Sequence, residues 1–473
     1  MPGQVVSTKR SGKPGNDFAE TKIDGRVQRC WRKAKTLAAG STRGFVQKVA
    51  VLSGGTIVAQ AINFLLIPLI TRLYLPISVG QLALFTSFLS MAAVAVSLRY
   101  EFGIVSAQDE REASQLLFLS ILFAVPLSLL ISLLLFVLIH YSLFGFGSLP
   151  RYAALLMVPV LLSTGAFGCL RYWEIRRERY GIISRATVLQ HGARCLSQVG
   201  IGWFRADAGG LLLGELLGRC TGMGAMFRDA LPIVKPHLAR TSRREFRETL
   251  KRNRKYAAYS LPSSFIDTLS VNVSVPLLVV LYGSGVAGHF AIVQRVMAVP
   301  MFLLTVGVAD VFHSSMARHA RENPQLCTAL FRRTAIGLLL MGVMPAALLF
   351  FKGEPLFSLV FGSRWLLAGA MASAVAPWFL MQFVVSPLSR VVLVFQGQEF
   401  KLIYDLLTVV AIAVVFGMAK QRAFPVLQTI RWLSAVNTVA YAAYFILLMH
   451  VLAKNTRTTT GQAEVGQGSP VSS

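Results

Sequence analysis

The chain has 473 residues, 54% of them hydrophobic and only 14% charged, with a mean hydropathy of +0.59 and a net charge of +26. A soluble chain carries about a quarter charged residues, and here the apolar ones run together instead of alternating or recurring every 3.6 positions. That excludes a water-soluble globular enzyme. The positive charge lies in alternate loops between apolar runs, so its expected partner is the anionic face of a membrane and not nucleic acid.

Residues 1–45 form a basic, polar tail without the apolar segment of a signal peptide, and a disordered cytoplasmic tail is expected there. Twelve spans are then predicted, at 49–71, 76–98, 116–139, 152–170, 182–204, 208–227, 257–281, 286–309, 334–351, 365–389, 402–419 and 432–452. Runs of about 20 apolar residues cross a hydrocarbon core of about 30 Å as helices, since no other open structure satisfies its backbone there. Spans 49–71 and 365–389 hold no charge at all. A polar tail, expected disordered, occupies 454–473.

Only 8 of the 47 Lys and Arg residues fall in the loops on the side opposite the termini. The positive-inside rule therefore places both termini in the cytoplasm and supports an even number of spans. The expected location is the bacterial inner membrane. The longest connection, 228–256, contains Arg240, Arg243, Arg244, Arg247, Lys251, Arg252, Arg254 and Lys255. It reads as a cytoplasmic linker, partly helical and lying on the membrane surface. The predicted organisation is a six-helix lobe over 46–228, the linker over 229–256 and a second six-helix lobe over 257–453.

The halves repeat one another. Pro68, Leu69, Leu73, Tyr74, Gly80 and Ala83 recur as Pro276, Leu277, Leu281, Tyr282, Gly288 and Ala291, always 208 residues apart. Both copies run from cytoplasm to outside and back, which makes a parallel repeat about an axis along the membrane normal.

Ionisable residues within spans are costly and mark cavities or partners. In the fifth span Gln190, Arg194 and Gln198 recur every four residues on one face, which is expected to line a water-filled cavity. Glu215 and Arg219 in the sixth span form an i,i+4 pair, read first as self-neutralising and second as a coupling element. Gly210, Gly214, Gly218 and Gly222 on that span make a small-residue packing face. Arg295, deep in the eighth span, has no partner in its own helix, so it either binds an anionic ligand or pairs with Asp267 of the seventh. Asp267 and Asp405 are the remaining candidates for coupling or gating. Arg99 and Glu101 close the second span at the cytoplasmic side.

Other motifs are set aside. The run Gly283, Ser284, Gly285, Val286, Ala287, Gly288 fits a dinucleotide fingerprint but joins two membrane helices with no βαβ unit around it. The sequon at Asn272 lies inside a span, and there is no Walker A or HExxH sequence. Cys30, Cys169, Cys195, Cys220 and Cys327 show neither a disulfide framework nor metal-ligand spacing. No catalytic residue, cofactor or metal is expected.

Several of these residues carry a resemblance. Leu52-Ser53-Gly54-Gly55-Thr56, Thr71-Arg72-Leu73-Tyr74 and Ser97-Leu98-Arg99-Tyr100-Glu101 in the first half are similar to motifs of the polysaccharide-biosynthesis flippases. So are Leu261-Pro262-Ser263-Ser264, Gly288-His289-Phe290-Ala291 and Gln294-Arg295-Val296 with Pro300 in the second. These are oligosaccharide exporters of the multidrug/oligosaccharidyl-lipid/polysaccharide superfamily. The resemblance implies an all-α fold of two six-helix bundles in a V around a central cavity, and alternating-access flipping of undecaprenyl-pyrophosphate-linked repeat units for exopolysaccharide or O-antigen. Arg194 and Arg295 would then hold the pyrophosphate, with polysaccharide polymerase or export machinery as a further partner. The first span lacks the charge expected of the related lipid II flippases. Two alternatives remain: a multidrug or cation antiporter of the same superfamily, which would need acidic cavity residues, and a membrane polysaccharide polymerase, which would need a large outer loop. The outer loops are short.

Overall fold

The computed structural model describes residues 51–304, 308–323, 325–395 and 398–466. Every regular element among them is a helix. The expected tail at 1–45, Cys30 included, lies outside the described residues.

The first half comprises α1 (Val51–Leu73), α2 (Pro76–Val96), α3 (Glu101–Ser106), α4 (Glu110–His140), α5 (Tyr152–Arg176), α6 (Tyr180–Phe204) and α7 (Ala208–Cys220). Next come α8 (Met223–Ala239) and α9 (Arg243–Lys255), the linker region. The second half holds α10 (Leu261–Asn272), α11 (Ser274–Leu304), α12 (Asp310–Glu322), α13 (Gln325–Phe361), α14 (Leu366–Leu388), α15 (Val391–Val394), α16 (Gln398–Gln421) and α17 (Val426–Gly466). Helix α17 runs past residue 453, where the membrane lobe was expected to end.

Local chemistry sets the boundaries. Pro76 begins α2, where a missing N–H costs nothing. Asp109 caps α4 by accepting from the Glu112 N–H at 2.6 Å, and Asp207 caps α7 through the Gly210 N–H at 3.0 Å. Ser242 and Glu245 form a capping box at the start of α9.

Nine stretches among the described residues are long and apolar enough to cross a membrane, so the chain is a multi-pass membrane protein. The predicted fifth and sixth spans are helical but too polar or too short to qualify, because they hold the charged cluster and the glycines. The predicted seventh and eighth lie within the continuous stretch Arg243–Met301, which includes the linker helix and is broken between them at Gly283, where φ is 81°. Leu129, Leu130, Leu133 and Leu134 of α4 and Leu340, Met341 and Met344 of α13 are exposed, as side chains facing lipid are. Helices α2 and α14 are mostly buried and stand at the centre.

One apolar core joins the halves, with Val79, Leu82 and Phe85 in the same cluster as Phe290, Ile292 and Val293. At its heart α2 and α11 meet through residues paired by the 208-residue offset. A Cβ on Gly80 would strike the Ser284 carbonyl, and one on Gly288 would strike that of Pro76. Ser284 is itself the counterpart of Pro76, so the two contacts are reciprocal. Glycine at both positions lets the backbones touch. The paired tyrosines behave alike. The Tyr74 hydroxyl donates to the Gln198 carbonyl on α6 at 2.7 Å, and that of Tyr282 donates to the Phe424 carbonyl beyond α16 at 2.8 Å. Trp365 crosses between halves, its indole N–H donating to the Thr71 carbonyl at 2.9 Å.

The linker helix does more than lie on a surface. Its Thr249 hydroxyl donates to Gln115 Oε1 at 2.6 Å, Asn253 donates to Glu112 Oε1 at 3.2 Å, and Arg111 pairs with Glu245 at 2.9 Å. These contacts clamp α9 to the start of α4.

Candidate functional site

A cavity of about 770 Å³ opens between the halves. Gln60 of α1 and Thr86, Ser87 and Ser90 of α2 supply one wall, and α10, α11, α14, α16 and α17 supply the rest. Its size is in the range that takes a drug-sized headgroup.

Two cations line it, Arg295 and Lys401, with two carboxylates, Asp267 and Asp405. They do not pair as the sequence suggested. Lys401 Nζ lies 2.5 Å from Asp267 Oδ1 and 2.7 Å from Asp405 Oδ2, tying α10 to α16. Asp267 therefore belongs to Lys401 and not to Arg295. Half-buried Arg295 makes no hydrogen bond or ion pair among the described residues. It falls within the electrostatic reach of Arg194 and Glu215 of the first half.

The first half's charges form a cluster of their own. Glu215, almost fully buried, receives Arg219 Nε on Oε1 at 2.8 Å and has Arg194 Nη1 at 3.7 Å from Oε2. Arg219 also donates to Thr164 Oγ1 at 3.0 Å. Arg194 donates to Asn63 Oδ1 at 2.6 Å, and the Asn63 amide meets His191 Nδ1 at 2.7 Å. One carboxylate is thus shared by two guanidinium groups, leaving the cluster cationic.

The expected cavity face of α6 has a different fate. Gln198 is 3% exposed, and its amide donates to the Leu211 carbonyl at 3.2 Å, while Gln190 reaches the Arg219 carbonyl at 3.4 Å. None of Gln190, Arg194 and Gln198 lines the cavity. This face packs on the glycine ladder of α7, where a Cβ on Gly214 would collide with Gln198 and one on Gly218 with Arg194. A polar stripe avoids lipid as well by packing on a partner helix as by facing water, and the glycines supply the room.

Arg99 and Glu101 sit at the far end of α2. Arg99 Nη1 is 3.5 Å from Glu101 Oε1 and stacks over the Phe102 ring at 5.0 Å. Leu98 and Arg99 take left-handed backbone angles, φ 51° and 62°, costing about 1–3 kcal/mol each. These two residues are not part of the cavity.

Sequence reasoning missed Lys401, because the eleventh span was begun one residue after it; its i,i+4 spacing to Asp405 was the available signal. It also missed Asn63, a polar residue in a span read as featureless. Trp378, Tyr404, Tyr441 and Tyr444 line the cavity too, and no spacing distinguished them from core aromatics.

Comparison with solved structures places this arrangement. A lipid II flippase, MurJ, in an inward closed conformation superposes with a TM-score of 0.62 at 13% identity, over 89% of this chain and 93% of that one. A multidrug resistance transporter of the MATE family, inward-facing, gives 0.54 at 13% identity over 87% and 96%. A Pyrococcus furiosus transporter of the same superfamily, described as having a binding pocket of reversed polarity, gives 0.51 at 14% identity over 86% and 96%. These likenesses show the fold, that of multidrug/oligosaccharidyl-lipid/polysaccharide transporters. No curated protein matches by sequence. The family model for polysaccharide biosynthesis proteins matches residues 69–369, well over half of the chain. The chain belongs to the polysaccharide biosynthesis protein family.

Proposed function

We propose that this protein flips an undecaprenyl-pyrophosphate-linked oligosaccharide repeat unit from the cytoplasmic to the periplasmic leaflet of a bacterial inner membrane, for exopolysaccharide or O-antigen assembly. The observation that carries this is Arg295, a cavity-lining guanidinium with no hydrogen bond or ion pair among the described residues, while the cavity's other cation is held by two carboxylates. A charge at membrane depth is kept only with compensation, and a guanidinium fits phosphate oxygens in a bidentate way. A pyrophosphate supplies the missing anion.

The charge asymmetry puts the α2–α11 joint, the Trp365–Thr71 bond and the short loops on the periplasmic side, and both termini in the cytoplasm. The cavity reaches Ser389 and Lys401 at the opposite ends of their helices. On this orientation the form described is closed outside and open to the cytoplasm. Flipping then requires the joint to part. Cation export, the alternative, would use free carboxylates in the cavity, and Lys401 already occupies both.

In proteoliposomes holding a fluorescent lipid-linked oligosaccharide, Arg295→Ala abolishes translocation while the protein stays inserted and folded. Arg295→Lys keeps partial activity, since a point charge loses the bidentate geometry. Normal flipping by Arg295→Ala overturns the reading.

A further inference from the structure

The cavity lining carries a second chemistry beside its charges. On α16 and α17 the Tyr404 ring stacks on Tyr444, centroids 4.5 Å apart at 19°, and Tyr441 leans on Tyr404 at 5.9 Å. Trp378 of α14 lines the same cavity. Tyr444 is 4% exposed, yet its hydroxyl has no hydrogen-bond partner among the described residues, and the buried indole N–H of Trp378 also lacks one. Buried donors are satisfied in the great majority of cases, so two orphan donors on cavity-lining side chains, neither with surface open to the cavity in this form, point to an acceptor that a ligand supplies once these side chains turn toward it.

The identity of that acceptor follows from the surroundings. A hydrocarbon tail has no acceptor. A phosphate would be repelled by Asp405, next in sequence to Tyr404, and by Asp267 across Lys401. Arg295 lines the same cavity, but its charged neighbours are Arg194 and Glu215 and not this carboxylate pair. What remains is a ligand with flat apolar faces and many oxygens. A pyranose lays its C–H face on an aromatic ring and offers hydroxyl or acetamido oxygens at its rim.

We infer that Trp378, Tyr404, Tyr441 and Tyr444 form a glycan subsite, with the Trp378 N–H and the Tyr444 hydroxyl donating to sugar oxygens of the lipid-linked substrate. This rests on the reading that Arg295 takes the pyrophosphate. The transporter then reads its cargo through two sets of residues, one for the anion and one for the sugar. A bare isoprenoid pyrophosphate satisfies only the first.

Binding of two probes to the full-length protein in nanodiscs tests this. One is farnesyl pyrophosphate, and the other is farnesyl pyrophosphate bearing an N-acetylglucosamine disaccharide. The wild type binds the glycosylated probe more tightly. Tyr444→Phe, which keeps the ring, and Trp378→Phe, which keeps an aromatic face without the N–H, both with an unchanged unfolding midpoint, each weaken that probe about five- to tenfold and leave the bare one unaffected. Arg295→Ala weakens both. Equal wild-type affinity for the two probes, or Phe variants that keep the preference, overturns the glycan subsite and leaves the pyrophosphate reading standing. Failure of the wild type to bind either probe overturns both.

Discussion

Arg295 and Glu215 show how one cost, a charge at membrane depth, is met in two ways. Glu215 is enclosed by Arg194 and Arg219, so its charge is answered within the protein. Arg295 has no hydrogen bond or ion pair among the described residues and lines the cavity. The two residues should therefore fail differently when substituted. Glu215→Gln leaves two guanidinium groups without their counter-charge, a loss of about 3–5 kcal/mol. Thermal unfolding in detergent should show a large drop in midpoint, with translocation per folded molecule much less affected. An unchanged midpoint would mean that Glu215 serves transport and not folding.

At the scale of elements, close backbone approach is the recurring device. Gly218 seats the stem of Arg194, and the Arg194–Glu215 contact depends on that proximity. Gly218→Val should push α7 from α6, cost about 1–3 kcal/mol and lower the unfolding midpoint. Gly417→Val is the control, because a Cβ there meets nothing within 4 Å. The linker makes a second case. Thr249→Val removes the hydrogen bond to Gln115, worth about 1 kcal/mol. Hydrogen exchange across α9 should accelerate while α2 and α14 keep their protection. The repeat was legible here because α2 and α11 make the same contact twice, which demands small residues in register. The docking of α9 was not, since its Thr249 and Asn253 are polar residues among many basic ones and their partners lie more than 130 residues away.

For the whole molecule, the joint between α2 and α11 must part if the cavity is to open on the other side. A Cβ on Gly285 would lie 3.4 Å from Ile77 Cγ1, close to disulfide geometry. With native cysteines removed, Ile77→Cys together with Gly285→Cys should cross-link on oxidation, halt translocation and recover on reduction. Transport through a fully cross-linked protein would rule out opening at this joint.

The sequence by itself determined the membrane class, the alternation of loop charge, the paired hairpins and the residues that carry charge into the bilayer. Those properties depend on local composition and on the cost of burying a polar group in hydrocarbon, both of which can be read along a chain. The tertiary structure alone decided who answers each charge. By position Arg295 could either hold an anionic ligand or pair with Asp267, but Lys401 reaches across from α16 and takes the carboxylate. Gln190, Arg194 and Gln198 share a face, but whether that face meets water or another helix depends on where the glycines of α7 lie. Pairing is a matter of distances between elements far apart in the chain, and a periodic pattern fixes only which face is polar, not what it meets.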